Sequence, residues 1–295
     1  MIVLRSTSKG IKDFVNYLNK CNHTFVLSTT TNSSIIVYSD NYQKYKVIFS
    51  EGVYMSKKEM ILQRQLKKEI EKNTKDQEIK YSGKKIHFFE FDSSLKYMVE
   101  TSGDYIEIEN VLEMDITKAY YQMAYNLGYI SYKFLIKKIV PLPKHIRLRL
   151  LGSIATKRVI EKWENGKVVE MKIVEDLRMR DIWFDICFHV GKVMKECSEA
   201  IQDYFIFYWV DGIYFQQHPN IPKKYDPTRQ IIENIFKKNK LLFSINELEK
   251  ISLQNYNDEI MLKCWKEGRV KSNFSVPHKK VKKYIFNPAH EKIYD

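Results

Sequence analysis

The sequence predicts an α+β fold with a small α/β unit at its N-terminus. Short β-rich apolar runs are punctuated by hairpin dipeptides, Asn165-Gly166 and Asp211-Gly212. Between them lie segments whose apolar residues recur at offsets of three and four, the period of a helix with one buried face. A hydrophobic content of 44% with only 7 Pro and 10 Gly in 295 residues fits a folded chain with an ample core.

Taken in order, residues 1 to about 60 read as a short strand, a helix near Ile11–Lys20, and strands at Thr24–Ser28, Ser34–Tyr38 and Lys46–Phe49. Residues 57 to 79 form a charged amphipathic helix with Met60, Ile61, Leu66 and Ile70 on its narrow apolar side. Ile86–Phe91 is a strand, and Tyr105–Met114 is another that leads into Asp115. A helix at 117–127 precedes an expected strand at Tyr132–Val140, and Pro141 and Pro143 then punctuate the chain. A basic helix is expected from Lys144 to Trp163, then a hairpin ending at Ile173, then a long helix over Arg180–Gln202. Beyond the Asp211 strand come a helix at Asp226–Lys238, strands at Glu249–Gln254 and Glu259–Trp265, and a turn at Glu267-Gly268 into Val270–Val276.

The net charge of +13 favours a polyanionic partner, nucleic acid first. No basic amphipathic helix supports a membrane surface, and no apolar run approaches the ~20 residues that span a bilayer. The four cysteines show no CxxC pairing and the histidines are scattered, which argues against a disulfide framework and a zinc site. The opening MIVLRSTSKG has no signal-peptide pattern, so a reducing, cytoplasmic location is expected (the host's cytoplasm for a virus).

Two acids stand out. Asp115 ends an apolar strand just where helical spacing begins, and it either caps that helix or holds a cation. Asp211 lies in YFIFYWVDGIYF, where Asp-Gly is either only a turn or a second cation ligand. A shared pair of Mg²⁺ (or Mn²⁺) ions would explain both.

These pieces, in this order, resemble the palm and fingers of family B DNA polymerases, particularly the protein-primed type. The resemblance implies an antiparallel palm sheet with helices on one face and inserted helical fingers. The palm would comprise 105–140 and 174–245, with fingers at 141–173, an N-terminal region at 1–104, and thumb-like strands with a basic tail at 246–295. That family's first motif, like DxxSLYP, reads here from Asp115 to Tyr121, and Tyr120 takes the place of the Tyr that lies under the incoming sugar. Its second, like KxxxNSxYG, is matched by Arg149 to Arg158, where Arg149, Ser153 and Lys157 would meet the triphosphate. Arg158 and the tail lysines Lys279, Lys280, Lys282 and Lys283 would contact nucleic acid, although a solvated tail is the other reading. Its third, like YxDTDS, appears around Asp211, with Trp209 in place of the first Asp. A Lys-x-Tyr near 256–262 is missing.

Catalytic Asp115 and Asp211 would thus serve a DNA polymerase without proofreading, using DNA template, primer (a protein hydroxyl included) and deoxynucleoside triphosphates. An accessory replication protein would supply missing functions, and a virus or mobile element would suit such a reduced enzyme. Reverse transcriptases share the palm, but their fingers precede the first motif, whereas here a basic helix and hairpin lie between the two acids. A catalytically degenerate palm that binds nucleic acid, and a basic α/β scaffold with the two acids far apart, are the other readings.

Overall fold

The computed structural model describes residues 2–4, 8–30, 33–40, 43–50, 56–79, 81, 83, 85–95, 105–256, 259–277 and 285–286. In chain order its elements are β1 (Ile2–Leu4), α1 (Ser8–Lys20), β2 (Phe25–Thr30), β3 (Ser33–Asp40), β4 (Gln43–Ser50), α2 (Lys57–Asn73), β5 (Ile86–His87), β6 (Phe89–Phe91), β7 (Tyr105–Ile116) and α3 (Ala119–Asn126). There follow α4 (Lys144–Gly152), β8 (Arg158–Glu164), β9 (Lys167–Val174), α5 (Leu177–Ala200), β10 (Phe205–Trp209), β11 (Gly212–Gln216), α6 (Pro227–Lys238), β12 (Phe243–Tyr256), β13 (Glu259–Lys266), β14 (Arg269–Pro277) and β15 (Ile285–Phe286). The protein is α+β, and it divides into two compact units, Met1–Lys80 with Ile136–Trp183 and Tyr81–Leu135 with Phe184–Asp295.

The first unit holds a six-stranded sheet in the order β1-β4-β3-β2-β8-β9, antiparallel except where β1 runs parallel to β4. Helix α1 places Ile11, Phe14, Val15 and Leu18 on one stripe, and these meet Phe25, Leu27, Ile36 and Val47 of the sheet. Asn165 and Gly166, with φ of 51° and 74°, make the β8–β9 turn, the double positive φ that favours Asn-Gly there. Helix α2 begins with a capping box: Glu59 N–H donates to Ser56 Oγ at 3.3 Å, and Ser56 N–H donates to Glu59 Oε2 at 2.6 Å. At its other end the Arg178 guanidinium donates to Thr74 Oγ1 at 3.0 Å, a cation where the helix leaves unpaired carbonyls.

The second unit holds a seven-stranded antiparallel sheet in the order β14-β13-β12-β7-β11-β10-β6. Asn110, at φ 56°, falls where the buried alternation of β7 changes phase, from Ile106 and Ile108 to Val111 and onward. The buried positions of β12 change phase at the matching place, between Leu248 and Ile251, while the register stays unbroken, so all these side chains join one core. Phe274 of β14 lies 5.5 Å from the ring of Phe207, 5.3 Å from Trp209 and 5.9 Å from Tyr214. Those partners sit on β10 and β11 near the other end of the strand order, so the sheet curls toward itself. Helix α5 buries Ile186, Cys187, Val190, Val193, Met194 and Cys197. Gly191 is required there, because a β-carbon would stand 2.4 Å from the His87 carbonyl oxygen. Asp226, fully buried, caps α6 by accepting from Arg229 N–H at 3.0 Å and also accepts from His218 N–H at 2.9 Å.

Several sequence expectations need correction. Tyr132–Val140 is helical rather than extended: Ser131 caps a turn at Tyr132–Phe134, and a π-helical turn follows at Leu135–Ile139. Its buried residues, Leu135 and Ile139, are four apart, while Lys133, Lys137 and Lys138 are exposed. The basic helix stops at Gly152 with a short turn at Ser153–Ala155, because Val159 to Trp163 pair with β2 instead. The hairpin assigned to inserted fingers is therefore part of the N-terminal sheet. The C-terminal strands do not form a separate thumb-like module either, since β12 pairs with β7 from Phe243↔Ile116 to Gln254↔Tyr105. Ile61 lies 47% exposed, off the buried side of α2. Among the described residues no helix is long and apolar enough to cross a membrane.

Candidate functional site

Strand β7 delivers Asp115 next to its C-terminal end, and the antiparallel register fixes its company. A cross-strand row runs Trp209, Gly212, Asp115, Ser244 across β10, β11, β7 and β12. Directly paired residues share a sheet face. Asp115 is therefore flanked by a residue with no side chain and by a small, exposed hydroxyl residue. A β-carbon on Gly212 would come 3.4 Å from Asp115 Oδ1, the closest atom it would meet.

Asp211 stands beside this row. The two-residue turn between β10 and β11 is Val210-Asp211, not the expected Asp211-Gly212, because Gly212 already pairs with both Trp209 and Asp115. Ile116 N–H donates to the Asp211 carbonyl at 2.9 Å, which ties the turn to the end of β7. Val210 carries a φ of 59°. Positive φ at the first turn position alone is the pattern of a type II′ turn, usually glycine's place, and it is strained for a β-branched residue. Both aspartates are partly exposed. The gap between them in the chain is long, and the sheet closes it.

Beyond Asp115 the backbone passes through Lys118 at φ 53° into α3, which carries Tyr120 in its first turn. The Tyr120 hydroxyl is held well above its ordinary pKa by burial, then by Cys187 and by the Asp211 carboxylate beside it. It stays a neutral phenol. Helix α3 is clamped to the start of β12 by an amide: Leu242 N–H donates to Gln122 Oε1 at 2.7 Å, and Gln122 Nε2 donates to the Leu242 carbonyl at 3.0 Å. One turn on, Asn126 Nδ2 donates to the Asn239 carbonyl at 2.9 Å.

The structure therefore brings the turn that holds Asp211 to the end of the strand that bears Asp115, within the second unit, and Tyr120 follows in the first turn of α3. Arg149, Ser153, Lys157 and Arg158 belong to the first unit. Arg149 there is paired with Glu59 at 2.5 Å. Ser153 donates from its hydroxyl to the Leu150 carbonyl at 2.6 Å and accepts from Gln63 Nε2 at 2.9 Å. Lys157 and Arg158 are exposed at the entry to β8. Lys279, Lys280, Lys282 and Lys283 lie outside the described residues.

Sequence reasoning missed Glu113. Two residues before Asp115, it is 8% exposed, accepts from the Tyr214 hydroxyl at 2.8 Å and pairs with the Lys271 ammonium of β14. Burial, reinforced by Glu113, lifts the Tyr214 phenol far above its ordinary pKa. The signal was present: an acid at an alternate position of an apolar strand needs a partner. Trp209, where the resemblance would place a further carboxylate, instead packs against Phe89 at 5.2 Å and Phe274 at 5.3 Å.

Among the described residues no group of three or more His, Cys, Asp or Glu side chains is placed to hold a metal ion. Mg²⁺ does not need such a cage, since it keeps waters and binds through one or two carboxylates plus substrate phosphates. Asp115 and Asp211 are hard oxygen donors of that kind, and the space left by Gly212 lies against Asp115 Oδ1. The donor set fits. No protein-family model matches the chain, and no curated protein matches it.

Proposed function

We propose that the protein is a template-directed nucleotidyltransferase of the family B DNA polymerase type, extending a primer hydroxyl with deoxynucleotides and lacking proofreading. The observation that carries this reading is the row Gly212–Asp115–Ser244 with Asp211 at its side: two acids from distant parts of the chain, held by paired strands, with no side chain opposite one of them on β11. Asp115 and Asp211 would hold Mg²⁺ or Mn²⁺. Bound there, the divalent ions would activate the attacking hydroxyl and offset the charge on the departing pyrophosphate.

The protein's own contribution is positional. The β7–β11 register and the Ile116–Asp211 hydrogen bond set the backbone that bears the two carboxylates, and Tyr120, in the first turn of α3, would wall the nucleotide's sugar as a neutral phenol. Arg149 and Ser153 do not carry this reading, because Glu59 and Gln63 already engage them. Exposed Lys157 and Arg158, together with the net charge of +13, suit contacts to a DNA backbone. A primer-extension assay with Mg²⁺ or Mn²⁺, labelled deoxynucleotides and DNA or RNA templates tests it, with Asp211→Asn run in parallel. Incorporation by the parent that the substitution abolishes supports the enzyme; equal incorporation by both, or none on any primer, defeats it.

Trp209 favours a second reading, a palm-like module that binds nucleic acid without extending it, because an aromatic cluster occupies the place of one family carboxylate. Tight primer–template binding with no incorporation, unchanged by Asp211→Asn, would select that reading.

A further inference from the structure

We propose that β9 is a docking edge for a second copy of this chain, the two strands pairing antiparallel about a two-fold axis at Met171. Strand β9 is the last in the six-stranded sheet, with only β8 beside it among the described residues. All eight of its residues are exposed, including Met171 at 60% and Ile173 at 55%, which share one face; a bulge at Val169, between Val168 opposite Trp163 and Glu170 opposite Lys162, bounds this regular stretch. A long edge strand with such a face is a template for pairing with another strand.

The register follows from geometry and charge. In an antiparallel pair, hydrogen bonds form only between residues whose N–H and C=O both point outward from their own sheets, and on an edge strand these are every second residue. Two copies of β9 must therefore pair residues of like parity, with the axis on a residue rather than between two. An axis at Glu170 puts Glu170 against itself, and an axis at Lys172 puts Lys172 against itself. An axis at Met171 pairs Glu170 with Lys172 twice and Met171 with itself, all within the regular stretch that follows the bulge at Val169. Opposite charges then face each other on one side while apolar residues face each other on the other, both favourable across strands. An axis one residue to either side sets like charges against each other, which favours the one at Met171 over its two neighbours.

Cysteine cross-linking of the full chain in a Cys21→Ser background reads the register, because Cys21 is exposed while Cys187, Cys197 and Cys264 are buried. Met171→Cys is expected to form a disulfide dimer, since directly opposed residues lie within disulfide reach. Glu170→Cys or Lys172→Cys alone should not, but a mixture of the two should cross-link. In sedimentation across a concentration series, Glu170→Lys should weaken association about tenfold by opposing lysines twice. Adding Lys172→Glu should restore it. These positions are exposed, and circular dichroism confirms that each variant is folded. A chain monomeric at every concentration, cross-linking indifferent to position, or a double reversal that fails to restore association would each overturn the proposal.

Discussion

Gly212 faces Asp115 across the β7–β11 pair, and a β-carbon there would lie 3.4 Å from the carboxylate oxygen Oδ1. Gly212 does not have a positive φ, so what the position demands is space rather than backbone freedom. Gly212→Ala should therefore leave stability within about 1 kcal/mol of the parent, helped by a less flexible unfolded chain. It should nonetheless lower nucleotide incorporation, as the methyl group fills the space against the carboxylate oxygen. Thermal unfolding beside the extension assay separates the two effects.

Val210 supplies a second test of how the site is held. A β-branched residue at φ 59° carries strain of about 1–3 kcal/mol. Val210→Gly should raise unfolding stability by about 1 kcal/mol in denaturant titration. Loosening of the turn that holds Asp211 should make activity fall while stability rises. Loss of both would show that Val210 is held by packing rather than strained.

The Glu113–Lys271 pair ties β14 over the face that bears Asp115. Lys271→Met leaves a nearly buried carboxylate with the Tyr214 hydroxyl as its remaining partner named above. The cost should be about 1–3 kcal/mol. Glu113→Gln combined with Lys271→Met removes the charge as well and should recover part of that loss. Denaturant midpoints of the parent, the single variant and the double variant measure it.

Much of this was legible from the chain itself. The Asp115 strand running into a helix, the Asn165-Gly166 hairpin and the helix at Asp226–Lys238 were readable because periodicity and turn chemistry are local. What local pattern does not encode is pairing across distance. The strand Val159–Trp163 looked like more helix until β2 claimed it, and β12 looked like the start of another module until β7 paired with it. At 132–140 the lysines hid an i, i+4 pair, Leu135 and Ile139, behind apparent alternation. Glu113 was overlooked because its partners, Tyr214 and Lys271, are far along the sequence.

Acid should act on the first unit through Glu59. Burial raises its carboxyl pKa, but the Ser56 N–H and hydroxyl, Arg149 and His145 outweigh that and hold it below the ordinary 4.5. A carboxyl depressed by folding stabilises the native state above its unfolded value and ceases to do so as pH falls through the folded one. Glu59→Gln should thus cost about 1–2 kcal/mol at neutral pH, and the difference should close below pH 4.5. Denaturant titrations at neutral and acid pH check it.

The most direct test is Mn²⁺ binding by the full chain, followed by electron paramagnetic resonance, for the parent, Asp115→Asn, Asp211→Asn and the double variant. If the two carboxylates share the ions, each single substitution should weaken binding by about tenfold or more, and the double should be little worse than either single. A parent that binds no Mn²⁺, or single variants that bind it as the parent does, would contradict the shared site.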